Sequence, residues 1–155
     1  MRLGLHLTDR CQLDCDHCLR DPSLAPRDLP LTTIERVVGE AARSYGIRQV
    51  SFTGGEPTLH PEFERVLDIV AAAGCTWDMV TNGERFARVV ALLDASAPRV
   101  RSLRSVTFSL DGASPGTHDA IRGAGSYERV LSAISIAAAR GLPFGVQMTL
   151  HARNE

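Results

Sequence analysis

Apolar positions along the chain switch between a two-residue and a three-to-four-residue spacing. Leu3 to Thr8 reads as a first strand. A helical period then opens at Thr32-x-x-Glu35, which has the form of a capping box. It places Ile34, Val37, Val38, Ala41 and Ala42 on one face and runs through Tyr45 to a stop at Gly46. The same exchange recurs along the rest of the chain. Gln49 to Thr53 is a β-branched and aromatic strand, Glu62 to Ala73 a helix ended by Gly74, and Trp77 to Thr81 a strand. Arg85 to Leu93 is the third helix and Ser105 to Leu110 the fourth strand. Tyr127 to Arg140 is a helix closed by Gly141, and Phe144 to Leu150 is the fifth strand.

Alternation of this kind predicts parallel strands joined by right-handed helical crossovers, in either an open doubly wound sheet or a barrel wall. Five strands and four helices cannot close a barrel of eight. Nothing marks an internal boundary, and the proline-bearing stretch Asp21 to Pro30 is read as a loop. The sequence stops directly after a strand with no helix to cover it, so a further C-terminal portion is expected in a longer protein.

Composition narrows the class. The 155 residues are 44% hydrophobic and 23% charged with a net charge of -1, which argues against disorder and against a nucleic-acid partner. No apolar stretch approaches the ~20 residues of a membrane span. The start of the sequence resembles no secretory signal, so its cysteines are expected reduced and the chain cytoplasmic.

Against that ordinary background, Cys11-Gln-Leu-Asp-Cys15-Asp-His-Cys18 stands out, directly after the first strand. Iron-sulfur clusters usually take four thiolates, so three on one tight loop either borrow a fourth ligand or leave one iron open for another molecule. The alternatives are a Cys3His zinc site completed by His17 or His6, or a disulfide pair. The fourth cysteine, Cys75, is remote in sequence and reads as a small buried packing residue.

Ligands in parallel α/β folds bind beyond the carboxyl ends of the strands. Each predicted strand delivers polar groups there: the cysteines after the first, Gly54-Gly55-Glu56-Pro57 after the second, and Asn82-Gly83 after the third. Ser109 and Asp111-Gly112 end the fourth, and Gln147 and Thr149 lie within the fifth. Paired glycines let backbone amides approach a ligand, and Pro57 keeps Glu56 out of helical geometry, where its carboxylate could accept from an ammonium group. Ser109 and Asp111 suit the paired hydroxyls of a ribose. Taken singly, Asn82-Gly83 and Asp111-Gly112 are also turn pairs, and Glu56 could be a helix-start carboxylate.

The CxxxCxxC loop, the GGEP stretch at Gly54 to Pro57 and Ser109-Leu-Asp111-Gly112 together resemble the radical S-adenosylmethionine enzymes, over essentially the whole chain. The resemblance implies a partial (βα)6 TIM-like barrel, of which five strands are present, with a 4Fe-4S cluster at its mouth. Cys11, Cys15 and Cys18 would ligate three irons, and S-adenosylmethionine would chelate the fourth. Glu56 would hold the methionine ammonium beside Gly54 and Gly55. Ser109 and Asp111 would contact the ribose, Asn82 would line the pocket, and His17 would pack near the adenine or lie solvated on the loop. The implied chemistry is reductive cleavage of the sulfonium and abstraction of hydrogen from a substrate, with the cofactor carrying the radical.

The stretch from Ser109 to Tyr127 is similar to the subgroup with C-terminal SPASM or twitch extensions. There an arginine placed like Arg122 is a candidate for the methionine carboxylate, against a rival salt bridge with Asp119 three residues before it. Members often modify ribosomally made peptides or proteins, which is the expected activity. Tetrapyrrole or molybdenum-cofactor synthesis is the alternative, and a non-catalytic iron-sulfur or zinc module is the alternative of another class. A peptide, protein or small-molecule substrate and a reductant such as flavodoxin or ferredoxin are the partners that the resemblance implies.

Overall fold

The computed structural model describes every residue except Pro22, His151 and Glu155. Five strands form one sheet: β1 (Leu3–His6), β2 (Gln49–Thr53), β3 (Thr76–Thr81), β4 (Leu103–Ser109) and β5 (Phe144–Gln147). All neighbours are parallel and the spatial order is the chain order, β1-β2-β3-β4-β5. A doubly wound sheet reverses its strand order partway, whereas this one never does. The sheet is therefore a barrel wall.

Burial agrees with that geometry. Leu5, Val50, Phe52, Trp77, Met79, Val106 and Phe108 are buried on one face, under the helices. The intervening residues Gly4, His6, Ser51, Asp78 and Thr107 are only partly covered or exposed on the other. Side chains alternate faces along a strand, so this is a sheet with a dry outer side and a polar concave side. On the concave side the Asp78 carboxylate accepts from Ser51 Oγ at 2.6 Å and from Gln49 Nε2 at 2.7 Å. In the core, Phe52 stacks on Trp77 with ring centres 5.9 Å apart, and Phe63 meets Phe52 edge-on. Cys75 is buried at the start of β3, where its thiol donates to the Ile47 carbonyl.

Helices α1 (Leu31–Ser44), α2 (Phe63–Ala72), α3 (Phe86–Asp94), α4 (Ala97–Ser102), α5 (Pro115–Arg122) and α6 (Ser126–Ala139) connect the strands. The stops expected at Gly46, Gly74 and Gly141 fall just beyond α1, α2 and α6, each at positive φ. The expected capping box does not form. Pro30 precedes α1, which carries no side-chain cap, and Thr32 and Glu35 lie inside the helix. Leu29 and Leu31 pack on the core, which seats the start of the helix two residues earlier than the box predicts. Two helices, α4 and α5, were not expected. Both are short and open on Ser-x-Pro or Ser-Pro with few apolar positions, so they show little helical period to read.

β1 and β5 are also shorter than expected. Beyond β1 the chain still pairs with β2 through Leu7 N–H to Thr53 O, then turns to meet the returning segment 27–29 in antiparallel pairing. Phe144 and Val146 on β5 and Met148 and Leu150 beyond it remain exposed, with Phe144 touching Phe108 at the sheet's margin.

Candidate functional site

The loop carrying the three cysteines is closed at its neck. Thr8 bridges to Asp28, Asp9 N–H reaches Arg27 O and Leu29 N–H reaches Leu7 O. Asp28 then accepts from Thr8 Oγ1 at 2.6 Å and from the Arg10 guanidinium at both oxygens. That fork of two parallel bonds fixes the direction in which the chain enters the loop.

The paired glycines serve the same loop. Gly55 N–H donates to Thr8 O and Glu56 N–H to Arg10 O, each at 2.7 Å. A Cβ on Gly55 would fall 2.4 Å from Arg10 O, and one on Gly54, at φ 149°, would fall 2.5 Å from Thr8 O. The Gly55 and Glu56 amides are thus spent on the cysteine loop, and the close approach that the glycines permit is between the end of β2 and that loop's backbone, while both glycines still line the cavity described below. Only glycine admits that contact.

A cavity of about 350 Å³ opens between the loop and the strand ends. Cys11, Cys15, Cys18, His17, Gly54, Gly55, Glu56, Asn82, Ser109, Arg122 and Thr149 all line it. The structure thus brings most of the expected set to one place. Each cysteine sulfur faces an N–H donor from a different part of the fold: Asn82 Nδ2 at 3.8 Å from Cys11, Arg122 Nη1 at 3.9 Å from Cys15, and Arg20 N at 3.4 Å from Cys18.

Among the described residues, no three His, Cys, Asp or Glu side chains converge to hold a single metal ion. His6 is bonded instead to Asp9. Three thiols spread around a cavity, each with a donor to its sulfur, fit a cluster whose irons are themselves spread over a cube. Burial pushes the Cys11 and Cys15 thiols up, and for Cys15 the Arg122 charge pulls the other way. Binding of metal would release those protons.

Glu56 is 1% exposed, and its carboxylate is fully engaged by protein donors. Oε1 accepts from Thr58 N, Thr58 Oγ1 and Thr81 Oγ1; Oε2 accepts from Asn82 N and Thr81 Oγ1. Burial pushes this carboxyl up, opposed by the Asn82 amide and the two threonines. The residue joins the ends of β2 and β3, a role the sequence did not suggest. Thr81, the last residue of β3, is the partner whose position could have signalled it.

Asp111 differs most from expectation. It is completely buried and does not line the cavity, so a direct ribose contact is not where the structure puts it. Its Oδ2 lies 2.5 Å from Arg122 Nε and 3.0 Å from His17 Nε2, and its Oδ1 accepts from Thr149 N. Burial alone would raise this carboxyl, but the Thr149 amide, Arg122 and His17 together hold it below the usual range. His118, buried on α5, accepts the Asp111 amide at Nδ1 and so fixes the loop that carries it.

Arg122 is therefore paired with Asp111 and not with Asp119. Asp119 caps α6 instead, accepting from Gly125 N, Ser126 Oγ and Tyr127 N. The three-residue spacing misled because Arg122 ends α5, where it turns to the cavity. Gln147 is the second residue that departs. It stands beside Ser109 in the sheet register, but its side chain is exposed and does not line the cavity, whereas Thr149 does. Ser109 Oγ has no hydrogen-bond partner among the described residues, so a polar group in the cavity would find a donor and acceptor there.

The sequence matches the Radical SAM superfamily over residues 5–154. It is 34% identical over 149 residues to the mycofactocin maturase MftC of Mycobacterium tuberculosis, covering 96% of this chain and 37% of that protein. It is 33% identical over 146 residues to the GTP 3',8-cyclase of Streptomyces coelicolor, covering 90% of this chain and 41% of that one. In fold it is similar to SuiB of Streptococcus suis, solved with S-adenosylmethionine and with the precursor peptide SuiA. For the S-adenosylmethionine complex the TM-score is 0.80 at 19% identity, covering 97% of this chain and 35% of SuiB. The chain thus spans well under half the length of these relatives. With a family match over nearly its whole length and a barrel wall that carries the three cysteines at its mouth, the chain belongs to the Radical SAM superfamily.

Proposed function

We propose that this chain is the catalytic core of a radical S-adenosylmethionine enzyme that modifies a peptide or protein. The observation that carries the reading is the single cavity in which Cys11, Cys15 and Cys18 face Ser109 and Arg122 across the strand ends. Cys11, Cys15 and Cys18 would ligate a 4Fe-4S cluster, with the donors from Asn82, Arg122 and Arg20 offsetting the negative charge on its sulfurs. When bound, the cluster and S-adenosylmethionine supply one-electron cleavage of the sulfonium and the radical that takes hydrogen from the substrate.

The chain's own residues orient and enclose. Arg122, held by Asp111, presents a guanidinium suited to the methionine carboxylate, and Ser109 presents a hydroxyl to the ribose. Glu56 holds the pocket's shape through Thr81 and Asn82, leaving backbone of the GGEP loop to meet the methionine amino group. His17 stacks its ring toward the nucleoside side while its Nε2 rests on Asp111. A peptide substrate is favoured by likeness to a maturase and to a protein solved with its precursor peptide. A nucleotide substrate is the second reading, favoured by likeness to a GTP cyclase. No described helix is long and apolar enough to cross a membrane, and a cytoplasmic enzyme reduced by flavodoxin or ferredoxin completes the proposal.

Anaerobic reconstitution of the full-length protein with iron and sulfide, then reduction with S-adenosylmethionine present, tests it. Cluster absorbance and 5'-deoxyadenosine are expected; absence of both rejects the reading. Cys15→Ala should abolish the cluster and Cys75→Ala should not, and equal loss in both would contradict the ligand assignment.

A further inference from the structure

A second cavity of about 530 Å³ adjoins the first, with Cys18, Leu19, Gly54 and Gly55 lining both. Its far side is formed by His6 and Asp9 at the margin of β1 and by the returning part of the cysteine loop, including Arg20, Leu24 and Arg27. It therefore lies on the partly covered concave side of the sheet and shares a wall with the cysteine site.

Two arginines and two aspartates line it, but they are not paired evenly. Asp9 is occupied by His6 Nε2 at 2.9 Å and by Arg27, through its backbone N–H and its guanidinium. Asp21 accepts from Ser23 N and Ser23 Oγ within its own turn. Arg20 has no comparable carboxylate. Its Nη2 donates to Leu13 O and approaches Asp14 only to 3.6 Å, and the Asp14 side chain is 73% exposed. Its Nε is enclosed and has no hydrogen-bond partner among the described residues. That Nε is closed off by protein, but 21% of the Arg20 side chain is exposed and the residue lines the cavity, which leaves its charged end open to a carboxylate there. Leu19, Leu24 and Ala25 supply apolar wall beside it.

We infer that this second cavity receives the substrate as a peptide segment that presents a carboxylate to Arg20. The inference rests on the peptide-modifying reading above. The carboxylate would pair with the charged end of Arg20, the neighbouring side chains would lie along Leu19 and Leu24, and the rest of the peptide would reach the cysteine cavity past Gly54 and Gly55. Arg20 is a substrate-positioning residue on this account.

Titration calorimetry on the reconstituted, S-adenosylmethionine-loaded holoenzyme tests this. The probes are an acetylated, amidated Ala-Glu-Ala-Glu peptide, its Ala-Gln-Ala-Gln counterpart, and N-acetylglutamate. The acidic peptide should bind roughly tenfold or more tightly than the glutamine peptide, the worth of a hydrogen bond to a charged group. Arg20→Lys keeps the charge but lacks the planar multi-donor guanidinium, and should lose most of that preference. Because Arg20 also braces the cysteine loop, Leu24→Glu is the second variant. Leu24 is 67% exposed, so the change is tolerated, and the new carboxylate should weaken the acidic peptide alone. Equal binding of the two peptides, no binding of the acidic one, or an unchanged preference in Leu24→Glu overturns the inference. Binding of N-acetylglutamate as tight as that of the peptide overturns its peptide part. Formation of 5'-deoxyadenosine, read on the same samples, reports separately on the proposed function.

Discussion

The Thr81 hydroxyl lies 2.9 and 3.1 Å from the two oxygens of Glu56, tying the end of β3 to the loop that follows β2. Because the carboxylate is buried and takes donors from three residues, the amide of Glu56→Gln would turn an N–H toward at least one of them. A loss of roughly 1–3 kcal/mol in urea unfolding is expected. Thr81→Val in the Glu56→Gln background should cost less than it does alone, since the pair acts together. Strictly additive losses would show that the two side chains are independent.

Gly55→Ala should leave the core intact but displace the cysteine loop, because its Cβ would stand 2.4 Å from Arg10 O and backbone must move. Thermal unfolding close to that of the parent, together with poor iron incorporation on reconstitution, is the expected pair of results. Normal iron content would mean that the loop has more freedom than the contact implies.

Asp111→Asn should weaken S-adenosylmethionine binding roughly tenfold or more, the usual scale for losing a partner that orients a ligating group. The effect would act through Arg122, whose Nε is held at 2.5 Å. Cluster absorbance should survive, and equilibrium dialysis with labelled S-adenosylmethionine would read the loss. Unchanged affinity would leave Arg122 positioned without its carboxylate.

Asp119 gives a pH dependence. The Tyr127 amide above all, with the Gly125 amide and the Ser126 hydroxyl, holds its carboxyl below the ordinary value of 3.8. A depressed carboxyl stabilises the fold above its unfolded pKa and loses that contribution as pH falls through the folded one. The melting temperature should therefore drop on acidification below about pH 4, less steeply in Asp119→Asn, which keeps an acceptor but cannot ionise. Parallel pH profiles for the two proteins would remove Asp119 from the cap of α6.

Much of this was legible because strands carry their chemistry at their ends. The order of elements placed Cys11, Glu56, Asn82 and Ser109 on one rim before any contact was known, and the cavity gathers them. What stayed hidden were roles set by partners far apart in sequence. Asp111 and Arg122 are separated by α5, whose short, polar sequence shows little helical period, so Arg122 was set against its near neighbour Asp119. The glycines were legible as sites of close approach, but not the partner, because Thr8 to Arg10 reach them only after the loop's neck has closed. Gln147 lies beside Ser109 at the end of β5, but its side chain is exposed, and Thr149 two residues on lines the cavity in its place.

The bare side of β5 bears on how the chain behaves at high concentration. Phe144, Val146, Met148 and Leu150 form an exposed row of greasy side chains along a margin whose peptide groups have a neighbour on only one side. Such a margin is a template for sticking to a second molecule, and it is the place where the 155-residue chain, purified alone, is expected to form oligomers and precipitate first. Val146→Lys would interrupt that row, and light scattering would register the gain in solubility.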